Sequence, residues 1–477
     1  MNDLHARIEQ NQRNGEAGNP GVGISGPRLP ASLFLSLALY AVAAVQAPSR
    51  PAAQEPVQTV TLDQALGIAM EKNRDIQKAE EYRKWVQGKY VEERSAALPQ
   101  LKISAYHRRD YDDTLSKLTG GLFPATQDTT NYQAGLDQAL YTWGQVGAAI
   151  RAAKVGLATA EEQLRLYRQA VRRDVTAAFM DLLLAKELEA IARQDLEQRL
   201  RHLEEAQKKF ALGTATDYDV LAAQVAVQNA RPTVIRAESD VTQSRLGLNF
   251  LLGLQGEEVD AAGTLDTLPE PVPSFEEVLE SARSRRPELV AQGQTIAIRR
   301  ELVKIARAGD KPRLDFSAAY GRKTLGVSGL NLDGKTWNAG VYLSFPVFDG
   351  LKTRGRLLQA RSDLTTAEIE ERRLSEALST EARRSLDAVR EAQEVLAALE
   401  GATVQAERLL AMAEKGYEYG VKTKLDVDDA QLSLSAARGN LARAGRDLLV
   451  ARTNLRWVMG VLGEPADNGP RGDAPSS

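Results

Sequence analysis

No cysteine occurs anywhere in the 477 residues, which excludes disulfide bonds, thiol catalysis and a lipid carried on an N-terminal cysteine. Histidine occurs three times, at His5, His107 and His202, a spacing that offers no metal cluster. No Ser, His and acid set converges either, so the chain is not read as an enzyme and no cofactor is expected. Aromatic residues are only 5% of the chain. An excess of one charge is also missing. The 61 basic and 64 acidic side chains leave a net charge of −3, without the basic field that nucleic-acid binding needs. Beyond residue 47 no run approaches 18 apolar residues, so the mature chain should contain no transmembrane helix.

What is abundant is Ala, Leu, Glu and Arg, a composition suited to long helices. Two stretches carry the same signature, aromatic-x-x-Gly-x-x-Thr-x-x-Asp-Val. One runs from Phe210 through Gly213, Thr216 and Asp219 to Val220; the other runs from Tyr417 through Gly420, Thr423 and Asp426 to Val427. They are offset by 207 residues, and the same offset relates the helical patterns that they open. Val220, Ala223, Val227, Ala230, Val234, Ala237, Val241, Ser244, Leu248 and Leu251 step by three and four. Val427, Ala430, Leu434, Ala437, Leu441, Ala444, Leu448, Ala451, Leu455 and Val458 repeat the steps. Such spacing keeps one stripe of a helix against a partner, as in a coiled coil. Thr216 and Thr423 are expected to cap these helices, and Gly253 and Gly460 to end them. Pro232 should kink or unwind its helix.

Taken in order, residues 1 to about 30 are polar and rich in Gly and Pro. Leu33 to Val45 is an apolar run followed by small residues to Ala47. Residues 1–47 therefore read as a signal peptide with a disordered extension; an uncleaved anchor helix is the other reading. Thr61 to Ala97 reads as one helix stopped by Pro99, and Ser274 to Ala308 as its counterpart. The chain thus divides into two structural repeats, 61–255 and 274–462, linked by a Pro-rich piece at 256–273 and trailed by a disordered tail at 463–477.

After each early helix the period changes to two. Leu101, Ile103 and Ala105, then Tyr132, Ala134 and Leu136, alternate with polar neighbours. So do Leu314, Phe316, Ala318 and Tyr320, then Trp337, Ala339, Val341 and Leu343. Each half thus offers a hairpin, within about 99–141 and 313–348, of a length that suits tilted membrane strands. The loops are expected at 110–130 and 322–335, the second turning at Asp333-Gly334. A very long helix comes after each hairpin, about 145–211 and 351–418. Its buried stripe should be Leu157, Ala160, Leu164, Tyr167, Val171, Val175, Ala178 and Leu182 in the first copy. At 1.5 Å per residue each long helix would reach roughly 100 Å. Four strands cannot close a membrane barrel, because open edges in hydrocarbon leave backbone groups unpaired. If they are membrane strands, the barrel is shared. Three chains would supply twelve strands, and larger numbers also satisfy the arithmetic.

The order helix, hairpin, long helix, Gly-x-x-Thr-x-x-Asp-Val turn and helix, written twice after a signal peptide, resembles the outer-membrane efflux family of TolC-like channels. The resemblance covers about 400 residues. It implies a mainly α fold with a β-barrel contribution: a coiled-coil helical tunnel in the periplasm, and a twelve-stranded outer-membrane barrel shared by a homotrimer. It implies an exit duct of a tripartite efflux or type I secretion system, whose partners are an inner-membrane transporter, a periplasmic adaptor and outer-membrane lipid. By the same resemblance Leu212, Gly213, Thr214, Tyr419, Gly420 and Val421 form the adaptor-docking tip. Asp219, Tyr417 and Lys422 form a periplasmic gate, and Asp426 and Asp429 an acidic ring at the entrance. The rival reading is a periplasmic coiled-coil adaptor or scaffold with no membrane barrel. Two other motifs are set aside. Gly329 to Thr336 spells a phosphate-binding loop but precedes a strand rather than a helix. Gly21 to Gly26 has dinucleotide-fingerprint spacing but no strand before it.

Overall fold

The computed structural model describes residues 58–463, except 122–123, 255–257 and 328–329. The expected signal peptide, the Gly21 to Gly26 motif and nearly all of the C-terminal tail lie outside the described residues. Nine α-helices and six strands are assigned among those described. None of these helices is long and apolar enough to cross a membrane.

Four columns make up the wall, each a helix continued by a strand. Helix α2 (Arg74–Ser95) leads into β2 (Gln100–Tyr111), and β3 (Thr126–Tyr141) leads into α4 (Gln145–Ala211). Helix α7 (Pro287–Arg307) leads into β5 (Arg313–Val327), and β6 (Leu330–Ser344) into α8 (Lys352–Glu418). The strands form one antiparallel sheet in the order β2-β3-β5-β6. The helices pack in the same order, α2 on α4, α4 on α7 and α7 on α8. Below them, α5 (Asp217–Leu252) folds back along α4, and α9 (Lys424–Val458) along α8; α4 and α9 meet in the middle. Both long helices have 67 residues, or about 100 Å at 1.5 Å per residue. A five-residue helix, α3 (Thr114–Leu118), lies in the first hairpin's loop.

Each early helix is in fact two. Helix α1 (Leu62–Lys72) stops at Asn73 before α2 starts, and α6 (Phe275–Arg285) stops at Arg286 before α7. Asn73 is extended, its carboxamide capping Asp75 and Ile76 and donating to the Leu251 carbonyl at 2.7 Å. At the second break Pro287 denies Arg286 the helical region. The breaks make room for the glycines that end α5 and α9. Gly253 and Gly460 have φ of 72° and 74°, and they sit against the backbone of Lys72 and of Arg285. Both therefore allow a close approach as well as a left-handed turn.

The strip from 256 to 273 is more than a link. Val259–Ala261 forms β4, which pairs in parallel with β1 (Gln58–Val60). Val259, Ala261 and Val60 are buried beside Phe179, Leu182, Leu248 and Leu252. At about 1.5–3 kcal/mol for each large apolar side chain removed from water, this cluster fastens α1, α4 and α5 together. A second cluster joins α6, α8 and α9 through Val278, Leu378, Leu386, Leu448 and Leu455. Beside it, Trp457 lies between the guanidinium groups of Arg173 at 4.5 Å and Arg286 at 4.3 Å. Arg286 is buried and bonds to Glu381 at 2.6 Å and Glu288 at 3.1 Å.

Periodicity located most of this packing. Val227, Ala230, Val234, Ala237, Val241 and Leu248 are buried along α5, as are Val427, Ala430, Leu434, Ala444, Leu448, Leu455 and Val458 along α9. Tyr167 is an exception, 47% exposed on α4. Pro232 does not interrupt α5, which is helical throughout. Ala230 and Val234 on either side of it are buried in the seam, so packing keeps the segment helical despite the missing N–H.

The hairpins extend beyond the expected loops, to Tyr111 and Thr126 and to Val327 and Leu330. Asp333 is therefore not in a turn. It sits in β6 opposite Thr324 and bonds to the Arg322 guanidinium across the pair. Polar alternation continues the ladder where apolar alternation stops. In this register one sheet face is apolar across four strands. Leu101, Leu136, Ala318 and Ala339 form one row; Ile103, Ala134, Tyr320 and Trp337 form the next. Ile103 is 81% and Trp337 76% exposed. The opposite face carries Lys102, Ser104, Gln133, Asp137, Ser317 and Asn338.

Candidate functional site: the two helical turns and the seam between them

The doubled motif forms two turns with the same glycine φ and matching backbone hydrogen bonds. At the first, Gly213 has φ 72°, its N–H reaches the Phe210 carbonyl, and the Thr214 N–H reaches that of Lys209 at 2.9 Å. At the second, Gly420 has φ 72°, with Tyr417 and Gly416 as the corresponding acceptors. This paired closure of a helix end requires a left-handed residue, which glycine supplies without strain. Leu212, Tyr419 and Val421 are each close to four-fifths exposed. A Cβ at Gly213 or Gly420 would meet no atom within 4 Å, so only the backbone conformation dictates glycine there.

Each turn restarts with a capping box. The Thr216 hydroxyl accepts from the Asp219 N–H, and Asp219 Oδ2 accepts from the Thr216 N–H at 2.8 Å and its hydroxyl at 2.7 Å. Thr423 and Asp426 repeat the arrangement with the same two distances. These bonds favour the carboxylate form and lower the pKa of both aspartates. Asp426 also receives the Lys422 ammonium at 3.2 Å and is held at about 2.

Within one chain the three expected gate residues are therefore not brought together. Asp219 is occupied by its own cap and Lys422 by Asp426. The Tyr417 ring packs with Ala413, Val427 and Ala430. The cation that reaches Tyr417 is Lys209, 3.5 Å from its hydroxyl and 4.9 Å from its ring centroid. The motif gave no hint of this contact, which joins residues 208 positions apart. Of the two ring candidates, Asp429 is exposed on α9 and Asp426 lies one turn before it, partly covered by its lysine.

Between the two hairpins, the face of α4 near the turns is polar. Gln194 receives Arg438 of α9 at 3.1 Å, Gln198 donates to Glu414 of α8 at 3.3 Å, and Lys209 meets Tyr417. His202 lies on the same face between these contacts. Nearer the sheet the same junction is held by Arg446 to Asp181 and by buried Leu182 and Leu183. The helical hairpins are thus joined by apolar and charged contacts partway along the shaft and by isolated polar contacts near the turns. Among the described residues no group of His, Cys, Asp and Glu could hold a metal ion.

Comparison with known proteins agrees with this architecture. A sequence model of the family described as outer membrane efflux protein matches residues 65–254 and 278–461. The outer membrane protein TolC of Vibrio cholerae is 24% identical over 78% of this chain and 84% of its own length. The alkaline protease secretion protein AprF of Pseudomonas aeruginosa is 27% identical over 78% of each. Among solved structures, the Campylobacter jejuni CmeC outer membrane channel superposes with a TM-score of 0.74 at 17% identity, covering 84% of this chain and 85% of that one. A membrane protein from Pseudomonas aeruginosa gives 0.73 at 23%, covering 87% and 99%.

Proposed function

The chain belongs to the outer membrane efflux protein family, and from that premise we propose that three copies form the exit duct of a tripartite efflux or type I secretion system. The reading rests chiefly on the open wall. The sheet ends at β2 on one side and β6 on the other, and the helical layer ends at α2 and α8, on the same two sides. A wall open at matching edges in both layers is completed by copies of itself. Open strand edges in lipid demand that closure. With four strands from each chain, three copies give a twelve-stranded barrel, its apolar face toward lipid and its polar face toward a wet lumen. The long helices then extend about 100 Å into the periplasm as a tunnel.

The two turns form the tunnel's far tip. Leu212, Gly213 and Thr214, with Tyr419, Gly420 and Val421, are the surface for a periplasmic adaptor that delivers cargo from an inner-membrane transporter. Asp219, Tyr417 and Lys422 are assigned to the gate between subunits, with Lys209 added as the cation that acts on Tyr417 inside each subunit. Asp426 and Asp429, repeated by the symmetry, ring the entrance and favour cations. Two relatives are named for different cargo, alkaline protease in one and cobalt, zinc and cadmium in another.

Light scattering on detergent-solubilised protein, followed by conductance in planar bilayers, tests the reading. A trimeric mass with discrete cation-selective pores is expected. A monomer that stays in solution without detergent and forms no pores would refute it.

A further inference from the structure

Among the described residues, His202 is the one imidazole set into the polar seam between the hairpins. It lies on α4 about 14 Å before the first turn, at 1.5 Å per residue, and its side chain is 23% exposed. Its Nε2 is buried with no hydrogen-bond partner among the described residues. The charged groups facing it come from two helices. Glu205, on its own helix, has a carboxylate oxygen 3.7 Å from Nδ1. Lys424 and Asp428 face it from α9, paired with each other at 2.7 Å. Helix α5 has no titratable group between Val220 and Ala230. Helix α8 presents Glu414 one turn away, where Gln198 takes it.

We propose that His202 is a pH-sensitive pin: neutral, it lets the two hairpins pack at the tunnel tip, and protonated, it loosens them so that the entrance widens in acid. The proposal rests on the exit-duct reading. A proton on this ring adds a cation beside Lys424 and a buried N–H with nothing to accept it, and both favour separation. Burial first, then Lys424, pushes the histidine below its ordinary value, although Glu205 and Asp428 pull the other way. The packed form therefore binds the proton less tightly than a separated form with the ring in water, and acid shifts the balance toward separation. The capping aspartates answer only in much stronger acid, because their bonds lower them, Asp426 to about 2.

Single-channel conductance of the full chain is measured at about pH 7.5 and about pH 5.5, the range in which imidazole titrates. Lowering the pH should raise the open population, by at most about tenfold per chain for each pH unit. His202→Gln should make conductance independent of pH over that range, and Lys424→Gln should weaken the response while leaving pores at neutral pH. A wild-type channel unaffected or narrowed by acid would overturn the proposal, as would a His202→Gln channel with the full acid response. Absence of pores at both pH values would remove the duct reading, and this proposal with it.

Discussion

Three glycines with the same backbone angle demand different things of their surroundings. Gly213 and Gly420 stand in open space with φ 72°. Alanine there should cost only the left-handed penalty, about 1–2 kcal/mol. A bulky residue should abolish export while trimers still form, which an export assay beside native electrophoresis would establish. Gly253 has the same φ, but an added Cβ would collide with the Lys72 carbonyl. Gly253→Ala should therefore add an overpacking cost of about 1–3 kcal/mol to the same strain. Its melting temperature in detergent should fall well below that of Gly213→Ala; equal values would mean that the close approach carries no energy. The capping acids invite a pH prediction of the same sign as that of His202, in a more acidic range. Asp426 is depressed in the folded chain, so its contribution is complete above the ordinary carboxylate value of 3.8 and is lost as the pH falls toward about 2. Helical signal from the tips should persist at about pH 5 and decline only below about 4, where a free aspartate protonates.

At the scale of the element, the two hairpins differ in how they are held. Apolar packing between α4 and α9 joins them partway along the shaft, whereas Gln198 and Lys209 link them near the turns. Exposed polar contacts of this kind contribute little each, about 0–1 kcal/mol, so the tips can part without unfolding the shaft. Lys209→Ala and Tyr417→Phe should each raise conductance at neutral pH, and the double variant should add little to the Lys209→Ala single, because both remove one contact. Additive effects would mean that each acts elsewhere. Neutralising Asp426 and Asp429 together should weaken block by multivalent cations; unchanged block would dismiss the ring. Pro232 is an element-scale anomaly, a proline inside an uninterrupted helix. Pro232→Ala should restore a backbone bond and stabilise the shaft by up to about 3 kcal/mol, seen as a higher melting temperature.

At the scale of the molecule, the decisive feature is a wall whose strand layer and helix layer are open along the same two sides. Its apolar sheet face exposes Ile103 and Trp337. A lysine at Ile103, on that face, should disfavour insertion by up to about 2–4 kcal/mol if the face meets lipid. Insertion into vesicles measured against Ser104→Lys, on the polar face, would separate the two faces. Equal insertion would assign lipid to neither.

The sequence by itself determined the element types, the doubled turn with its caps, and the buried stripe of each helix. Those arise from local chemistry: a threonine and an acid three apart, a glycine that turns left, an apolar residue every three or four. Periodicity misled at exposed Tyr167, and where a ladder continued on polar residues past the apolar band, at Asp333. The break at Asn73 and the strand in the supposed linker were invisible because each exists to receive a distant part of the chain, Leu251 in one case and β1 in the other. Which side chain faces Tyr417, and that the His202 Nε2 lies buried without a partner among the described residues, were settled by the way two hairpins lean on one another. That is a relation between residues some two hundred positions apart, and no local pattern encodes it.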